Sequence, residues 1–545
     1  MAPCRLEFMS ASDSEEAAMP LAPRALPGGG RSGAQSWRRV AQVASAVLLA
    51  FCVAGFLAAR QRGRPAPAFD AEEAAEIEEF VSPFESIKES FKPDIRTVDG
   101  AFTGGECDME ESEEGCPISN MTRDLLTGVY PGGETRCLLG DAPYLFQVIP
   151  GDLDKLVLYF QGGGACWDAS TASAGLCVRA VADEGRVGIF DKTNPANPYI
   201  NYTIVIIGYC SGDAHVGHAD HDWAVVTSLS MGQAKQRGYI NARSAVDWTK
   251  RNLGGQTLDS LIITGSSAGA LGTQIWSRAL LGEFSYRAAA VIADSYAAIF
   301  PVGVQGGMMK SFGMCNNGLL TNTLSFFCNT GTVDVQRIFE RAMWEYPKVA
   351  FANLDSKIDF VQIAFYKVVH KSRLGYMDHV GPRHFASLIM SEYDRYNMKP
   401  NWVSYSVNCG QHMYLNNDVM YQTSPVGDQV TTKRGAVGKF LSLTGNEISG
   451  DETPLVDWLA EFPVREGRRT ETRCAGLKPK PPAPSAPAPS GGGLLGIFAR
   501  HVHTVASVAE GVTKTALSTG VTHVASQLGF ELSCSPMAAG KTFRP

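Results

Sequence analysis

A chain of 545 residues with 45% hydrophobic and 19% charged residues has the composition of a globular protein and the length for one large domain plus appendages. Its formal net charge of −7, with no run of basic residues, excludes a nucleic-acid binder and leaves no obvious surface for any other polyanion.

Residues 1–39, rich in Ala, Gly, Pro and Ser, read as a disordered cytosolic tail. The run Val40–Ala59 carries no charge and is long enough to cross a bilayer as a helix. It lies too far from the start for an ordinary signal peptide and lacks a cleavage site, so it reads as an uncleaved signal anchor. Low-complexity sequence on both sides speaks against a buried core helix. Arg38 and Arg39 precede it and Arg60, Arg62 and Arg64 follow, a near balance that leaves orientation open. Residues 60–115 form a stalk with an acidic helical stretch, Asp70–Phe91. The acidic loop Glu106–Glu114 reads as a solvated face rather than a calcium site.

Cysteine usage supplies the orientation. Of 13 cysteines, ten follow the anchor between Cys107 and Cys474, an even set that fits an oxidising compartment. Cys166–Cys177 and Cys315–Cys328 are the most local pairings. Asn120-Met-Thr122 and Asn201-Tyr-Thr203 are glycosylation sequons on the same side. A membrane-anchored protein with its main domain luminal or extracellular follows.

Residues 116–474 have the pattern of an α/β domain. Strands are predicted at Tyr144–Ile149, Lys155–Phe160, Tyr202–Gly208, Leu261–Thr264, Ala289–Ala293, Lys348–Asn353 and Trp402–Val407. Helices are predicted at Gly232–Arg251 and Ala268–Leu281. Apolar strands alternating with amphipathic helices imply a mostly parallel sheet covered on both faces, with sites at the carboxyl ends of its strands. After Cys474 the composition changes. Residues 475–493 are a Pro-rich linker. Residues 494–530 place apolar residues at helical spacing, for a membrane surface, a partner helix or the main domain. Residues 531–545 are a tail.

Gly265-Ser266-Ser267-Ala268-Gly269, directly after a strand and before a helix, is a Gly-x-Ser-x-Gly turn that presents Ser267 above a sheet. Such a serine needs a base, an acid to orient the base and an oxyanion hole. In an α/β hydrolase the order along the chain is Ser, Asp or Glu, then His. His412, on the turn after Trp402–Val407, sits where a catalytic loop would lie. His370 falls in a helix, His379 and His384 in a charged loop segment, and the last three histidines beyond the linker. For the acid, Asp355 and Asp359 both lie past the strand Lys348–Asn353, while Asp294 comes one strand early and reads as a support for the serine turn. Gly162-Gly163-Gly164 ends the strand Lys155–Phe160. Gly163 and Gly164, with the N–H of Ala268, form the candidate oxyanion set.

These pieces resemble the pectin acetylesterase and Notum family of serine carboxylester hydrolases. The resemblance rests on Gln161-Gly-Gly-Gly-Ala-Cys-Trp167, Gly208-Tyr-Cys-Ser-Gly-Asp213, Thr264-Gly-Ser-Ser-Ala-Gly269, Ala293-Asp-Ser295, Ile358-Asp-Phe-Val-Gln-Ile363 and Cys409-Gly-Gln-His412. It implies an α/β-hydrolase fold and a Ser267, Asp359, His412 triad, with no metal and no cofactor. The family's Asp-x-x-Gln context selects Asp359 over Asp355. This chain departs from the family in placing Trp167 after Cys166 rather than before it. The anchor, stalk and C-terminal segment have no counterpart in the family core.

The expected function is removal of acyl groups, by preference acetyl groups of a polysaccharide, because nothing in the sequence marks a long acyl tunnel. A Notum-like deacylase of a lipidated protein and a catalytically silent glycan-binding surface protein are the alternatives. The cluster Asp213, His215, His218, Asp220, His221, Asp222 has side chains that suit zinc or iron. Gly212 and Gly217 argue against the helix such spacing needs, and the resemblance makes the segment a cleft loop.

Overall fold

The computed structural model describes residues 102–479, except 141, 227–230, 254, 376–379 and 429–445, together with residues 541–545. No helix among the described residues is long and apolar enough to cross a membrane. Val40–Ala59, Asp70–Phe91, His379 and residues 494–530 lie outside the described residues.

The main sheet has eleven strands. In chain order they are β1 (Gly105–Asp108), β2 (Thr127–Tyr130), β3 (Phe146–Ile149), β4 (Asp152–Phe160) and β5 (Tyr202–Ile207). There follow β6 (Leu258–Ser266), β7 (Tyr286–Asp294), β8 (Ala350–Ser356), β9 (Trp402–Val407), β10 (Asn446–Gly450) and β11 (Arg473–Pro479). The spatial order is β1-β2-β3-β5-β4-β6-β7-β8-β9-β11-β10. From β5 through β11 every neighbouring pair is parallel, whereas β3 is antiparallel to both β2 and β5. This mixed sheet flanked by helices is an α/β-hydrolase-like arrangement. Its first strand precedes residue 116, so the folded region starts inside the segment expected to be stalk.

The central strands are apolar throughout because both of their faces are covered. Leu156, Leu158 and Phe160 of β4 enter one core with Leu261, Ile263 and Val291. Val157 and Tyr159 enter the other with Ile262 and Ile292. On the first face pack α1 (Gly238–Leu253), α2 (Ala268–Glu283), α3 (Val335–Glu345), α4 (Phe360–Leu374) and α5 (Pro382–Asn397). Asp334 caps α3, Pro382 sits in the first turn of α5, and Gly375 ends α4 at φ +85°.

Two predicted boundaries moved. Residues Met231–Gln236 are not helical but pair with Ala219–Val226 as a hairpin, and the helix begins at Gly238. The buried Gln236 side chain supplies a reason, since it donates to Cys166 O at 2.9 Å and meets His221 Nε2 at 2.7 Å. Strand β8 runs through Ser356, which places Asp355 inside the strand rather than beyond it.

Cys166–Cys177 and Cys315–Cys328 are both bonded, and Cys107–Cys116 and Cys137–Cys210 join them. Cys474 is also disulfide-bonded. The tenth cysteine of the set, Cys409, is not in a disulfide; its Sγ lies 3.1 Å from Tyr414 Oη and 3.3 Å from Ser356 Oγ. At the far end of the chain, Thr542–Phe543 pairs with Thr470–Glu471. Lys541 Nζ donates there to Lys399 O at 2.6 Å and lies over the Trp402 ring.

Candidate active site

Ser267 sits between β6 and α2 with φ +58° and ψ −121°, a region that non-glycine residues rarely occupy. The turn is fixed from both sides: its N–H donates to Asp294 O at 2.9 Å and its carbonyl accepts from Ala270 N at 2.9 Å. The flanking glycines are required by close approach. A Cβ on Gly269 would stand 1.9 Å from Phe160 O, and one on Gly265 2.5 Å from the same oxygen. Such a held, strained turn is expected where a nucleophile must project from a sheet.

The glycine loop after β4 lies against this turn. A Cβ on Gly162 would be 2.8 Å from Ser266 O and 3.2 Å from Ser267 Cβ. Gly163 and Gly164 have φ of +147° and +73°. Gly163 O accepts from Val178 N at 2.9 Å, and Gly164 O accepts from Tyr209 Oη at 2.9 Å. Across a trans peptide the C=O and N–H point oppositely, so the Gly164 N–H is turned away from Val178. The Cys166–Cys177 bond holds the loop closed. The N–H of Ala268 is the first of α2, where no intrahelical acceptor exists.

Asp359 caps α4, its Oδ1 accepting from Val361 N at 2.9 Å and Gln362 N at 3.0 Å. Its Oδ2 meets His412 Nδ1 at 2.7 Å and Gln362 Nε2 at 3.1 Å. A carboxylate at Nδ1 places the proton on that nitrogen and leaves Nε2 with a lone pair able to accept one. Nε2 is buried without a hydrogen-bond partner among the described residues, so it is not bonded to Ser267 in this state. The two loops nonetheless converge: Met413, next to His412, and Ser267 both close on Gly162, at 3.4 Å (Sδ) and 3.2 Å (Cβ) from its Cβ position. Catalytic contacts of this kind are often long before substrate binds.

Asp294 joins these loops. Its Oδ2 accepts from Ser266 Oγ at 2.6 Å, Tyr414 N at 3.0 Å and Leu415 N at 3.0 Å, while Oδ1 accepts from Ser295 Oγ at 2.8 Å. Ser295 Oγ in turn accepts from Met413 N at 2.9 Å. The support role expected of Asp294 therefore reaches beyond the serine turn to the histidine loop. Ser295 stood in the sequence only as the end of the Ala293-Asp-Ser295 match, with no role of its own.

Gly164, Ser267 and Ala268 line a narrow cleft with a free volume of only about 20 Å³. Its walls are apolar: Leu271, Phe300, Met308, Met309, Phe312 and Phe365. Trp167 closes one side, its Nε1 donating to Ser372 Oγ at 2.7 Å near the end of α4. No sequence signal marks this apolar cleft, because its walls come from segments scattered between residues 271 and 369.

The His/Asp cluster is divided by the fold. Asp213 is buried and accepts from Ser211 Oγ at 2.6 Å and Gly238 N at 2.8 Å. His215 is buried, its Nε2 2.8 Å from Gln161 O and its ring against Phe160 and Tyr209; burial pushes its pKa down to about 4. Asp220 and His221 lie on the hairpin, Asp220 facing Arg237 and Lys235. Asn120 and Asn201 are both exposed.

Glu184 links the glycine loop to the histidine loop, hydrogen-bonded to Gln161 and, at 3.2 Å, to Asn416. Burial raises its pKa from 4.5 to about 7. The folded protein therefore holds this proton more tightly than the unfolded chain, and the group's stabilising contribution is lost as pH rises from 4.5 to about 7. Glu184→Gln is expected to raise the melting temperature relative to wild type at pH above 7 and to give no gain below pH 4.5, read from thermal melts across that range.

No family model and no curated protein matches this chain. Among solved structures, it is similar to two crystal forms of the Wnt deacylase Notum from Drosophila. One is 16% identical, with 53% of this chain and 85% of that chain covered and a TM-score of 0.39. The other is 15% identical, with 55% and 88% covered and a TM-score of 0.39.

Proposed function

We propose that this chain is a serine carboxylester hydrolase. The observation that carries the reading is the His412–Asp359 pair at 2.7 Å beside a strained Ser267 turn that opens on a cleft. Ser267 Oγ attacks the ester carbonyl, and His412 Nε2 takes the proton and returns it to the departing alcohol. Asp359 keeps the imidazole in its reactive tautomer and stabilises the imidazolium. The N–H groups of Gly163, Gly164 and Ala268 receive the oxyanion. Water, activated by His412, then releases the acyl group from Ser267.

The apolar character of the walls favours an acyl chain longer than the acetyl group expected from sequence, admitted as the flexible Met308 and Met309 side chains part, because the cleft itself is narrow. Each buried methylene is worth about 0.8 kcal/mol, roughly a fourfold gain in kcat/KM until the cleft is filled. The four disulfides with both cysteines among the described residues, and the exposed Asn120 and Asn201, support a domain on the luminal or extracellular side, and we place Val40–Ala59 as its membrane anchor. The test is an ester panel from acetyl to palmitoyl, run on the full chain beside Ser267→Ala. Rising turnover with chain length, lost in the variant, is the expected result. Equal activity in both proteins defeats the serine mechanism, and a maximum at acetyl returns the substrate to an acetylated glycan.

A further inference from the structure

Behind Asp359 lies a second buried carboxyl that the mechanism above does not use. Asp355 is 1% exposed and is the penultimate residue of β8, before α4. Its partners are neutral: Tyr393 Oη of α5 lies 2.6 Å from Oδ2, and Gln362 Nε2 lies 2.8 Å from Oδ1. The same Gln362 nitrogen reaches Asp359 Oδ2 at 3.1 Å. The orientation of this amide is fixed at its other end, because Gln362 Oε1 accepts from Ala297 N at 3.2 Å. One NH2 group thus gives one hydrogen to each carboxyl.

Two carboxyls joined by a single amide in a buried site cannot both ionise cheaply. Asp359 receives four donors, among them the imidazole that becomes positive during turnover. Among the described residues Asp355 has only the amide and a phenol. The negative charge therefore belongs on Asp359 and the proton on Asp355. Burial, with the Asp359 and Asp294 carboxyls nearby, also pushes the Asp355 pKa well above the carboxylate range.

We infer that Asp355, Gln362 and Tyr393 are positioning residues of the Ser267 site: Asp355 keeps its proton at neutral pH, and the Gln362 amide it anchors holds ionised Asp359 against His412. The inference rests on the hydrolase reading for its effect on turnover, but the proton on Asp355 can be observed without any substrate.

Infrared difference spectra of the full chain at neutral pH are expected to show a carboxylic-acid C=O band in wild type that is missing from Asp355→Asn. Asp355→Ala is expected to lower kcat on the order of 10-fold with KM little changed, because Asp359 loses its aim rather than the substrate its contacts. Asp355→Asn keeps a neutral group that satisfies both Gln362 and Tyr393, so it should recover most of that loss with the acid limb of the kcat/KM profile in place. Identical infrared spectra, an asparagine variant as slow as the alanine one, or an acid limb displaced downward would each overturn the inference. Should Asp355→Ala fail to fold, the asparagine variant still decides it. A Ser267→Ala protein that remains active would defeat the hydrolase reading alone, with the infrared result unaffected.

Discussion

Asp359→Asn is expected to lower kcat by roughly 10³–10⁴-fold while leaving the protein folded. The amide offers an N–H where His412 Nδ1 requires an acceptor, so the imidazole is held in the wrong tautomer or released. The fold should survive because Asp359 has a second task that asparagine performs equally well. Its Oδ1 caps α4 by accepting from Val361 N and Gln362 N, and Asn and Asp are about equal at that position, within a few tenths of a kcal/mol. Steady-state kinetics and a thermal melt on the same preparation check both halves. Loss of turnover accompanied by unfolding would assign Asp359 to the helix alone, and retained turnover would remove it from the site.

The second large effect is expected at Asp294. In Asp294→Ala, four donors lose their acceptor at once: Ser266 Oγ, Ser295 Oγ and the N–H groups of Tyr414 and Leu415. Each buried donor left unsatisfied costs on the order of 1–3 kcal/mol. Relaxation of the 414–415 loop relieves part of this, and a net destabilisation of about 3–5 kcal/mol is expected. Turnover should also fall, because the loop carrying His412 is then tied to the serine turn only through its neighbours. Chemical denaturation measures the first effect, and kcat at a temperature where the variant is folded measures the second. A loss below about 1 kcal/mol would show that the loops are held together by other contacts.

Much of the frame was legible because its signals are local. The runs around Ile206, Ile262, Ile292 and Val403 are apolar on both faces, which only a covered parallel sheet explains. The serine turn carries its glycines because backbone oxygens stand where a Cβ would go, and that requirement is written into five consecutive residues. Less was legible where contacts cross long stretches of chain. Nothing near Gln236 announces that its side chain will reach Cys166 and hold residues 231–236 in a hairpin. Local reading alone left both Asp355 and Asp359 past the strand, because it ended β8 short of Ser356, and the Asp-x-x-Gln context had to choose between them. The cleft was invisible for a related reason. Met308, Met309, Phe312 and Phe365 read as ordinary core residues until the fold turns them toward Ser267.

The return of the last residues to the main domain has a consequence for whatever lies between. With Lys541 seated beside Trp402 and Thr542–Phe543 paired with Thr470–Glu471, the chain from 480 to 540 begins and ends on the Ser267 domain. A ligand captured anywhere along it would be confined near the Ser267 domain at a high effective concentration, whatever its intrinsic affinity for the domain itself.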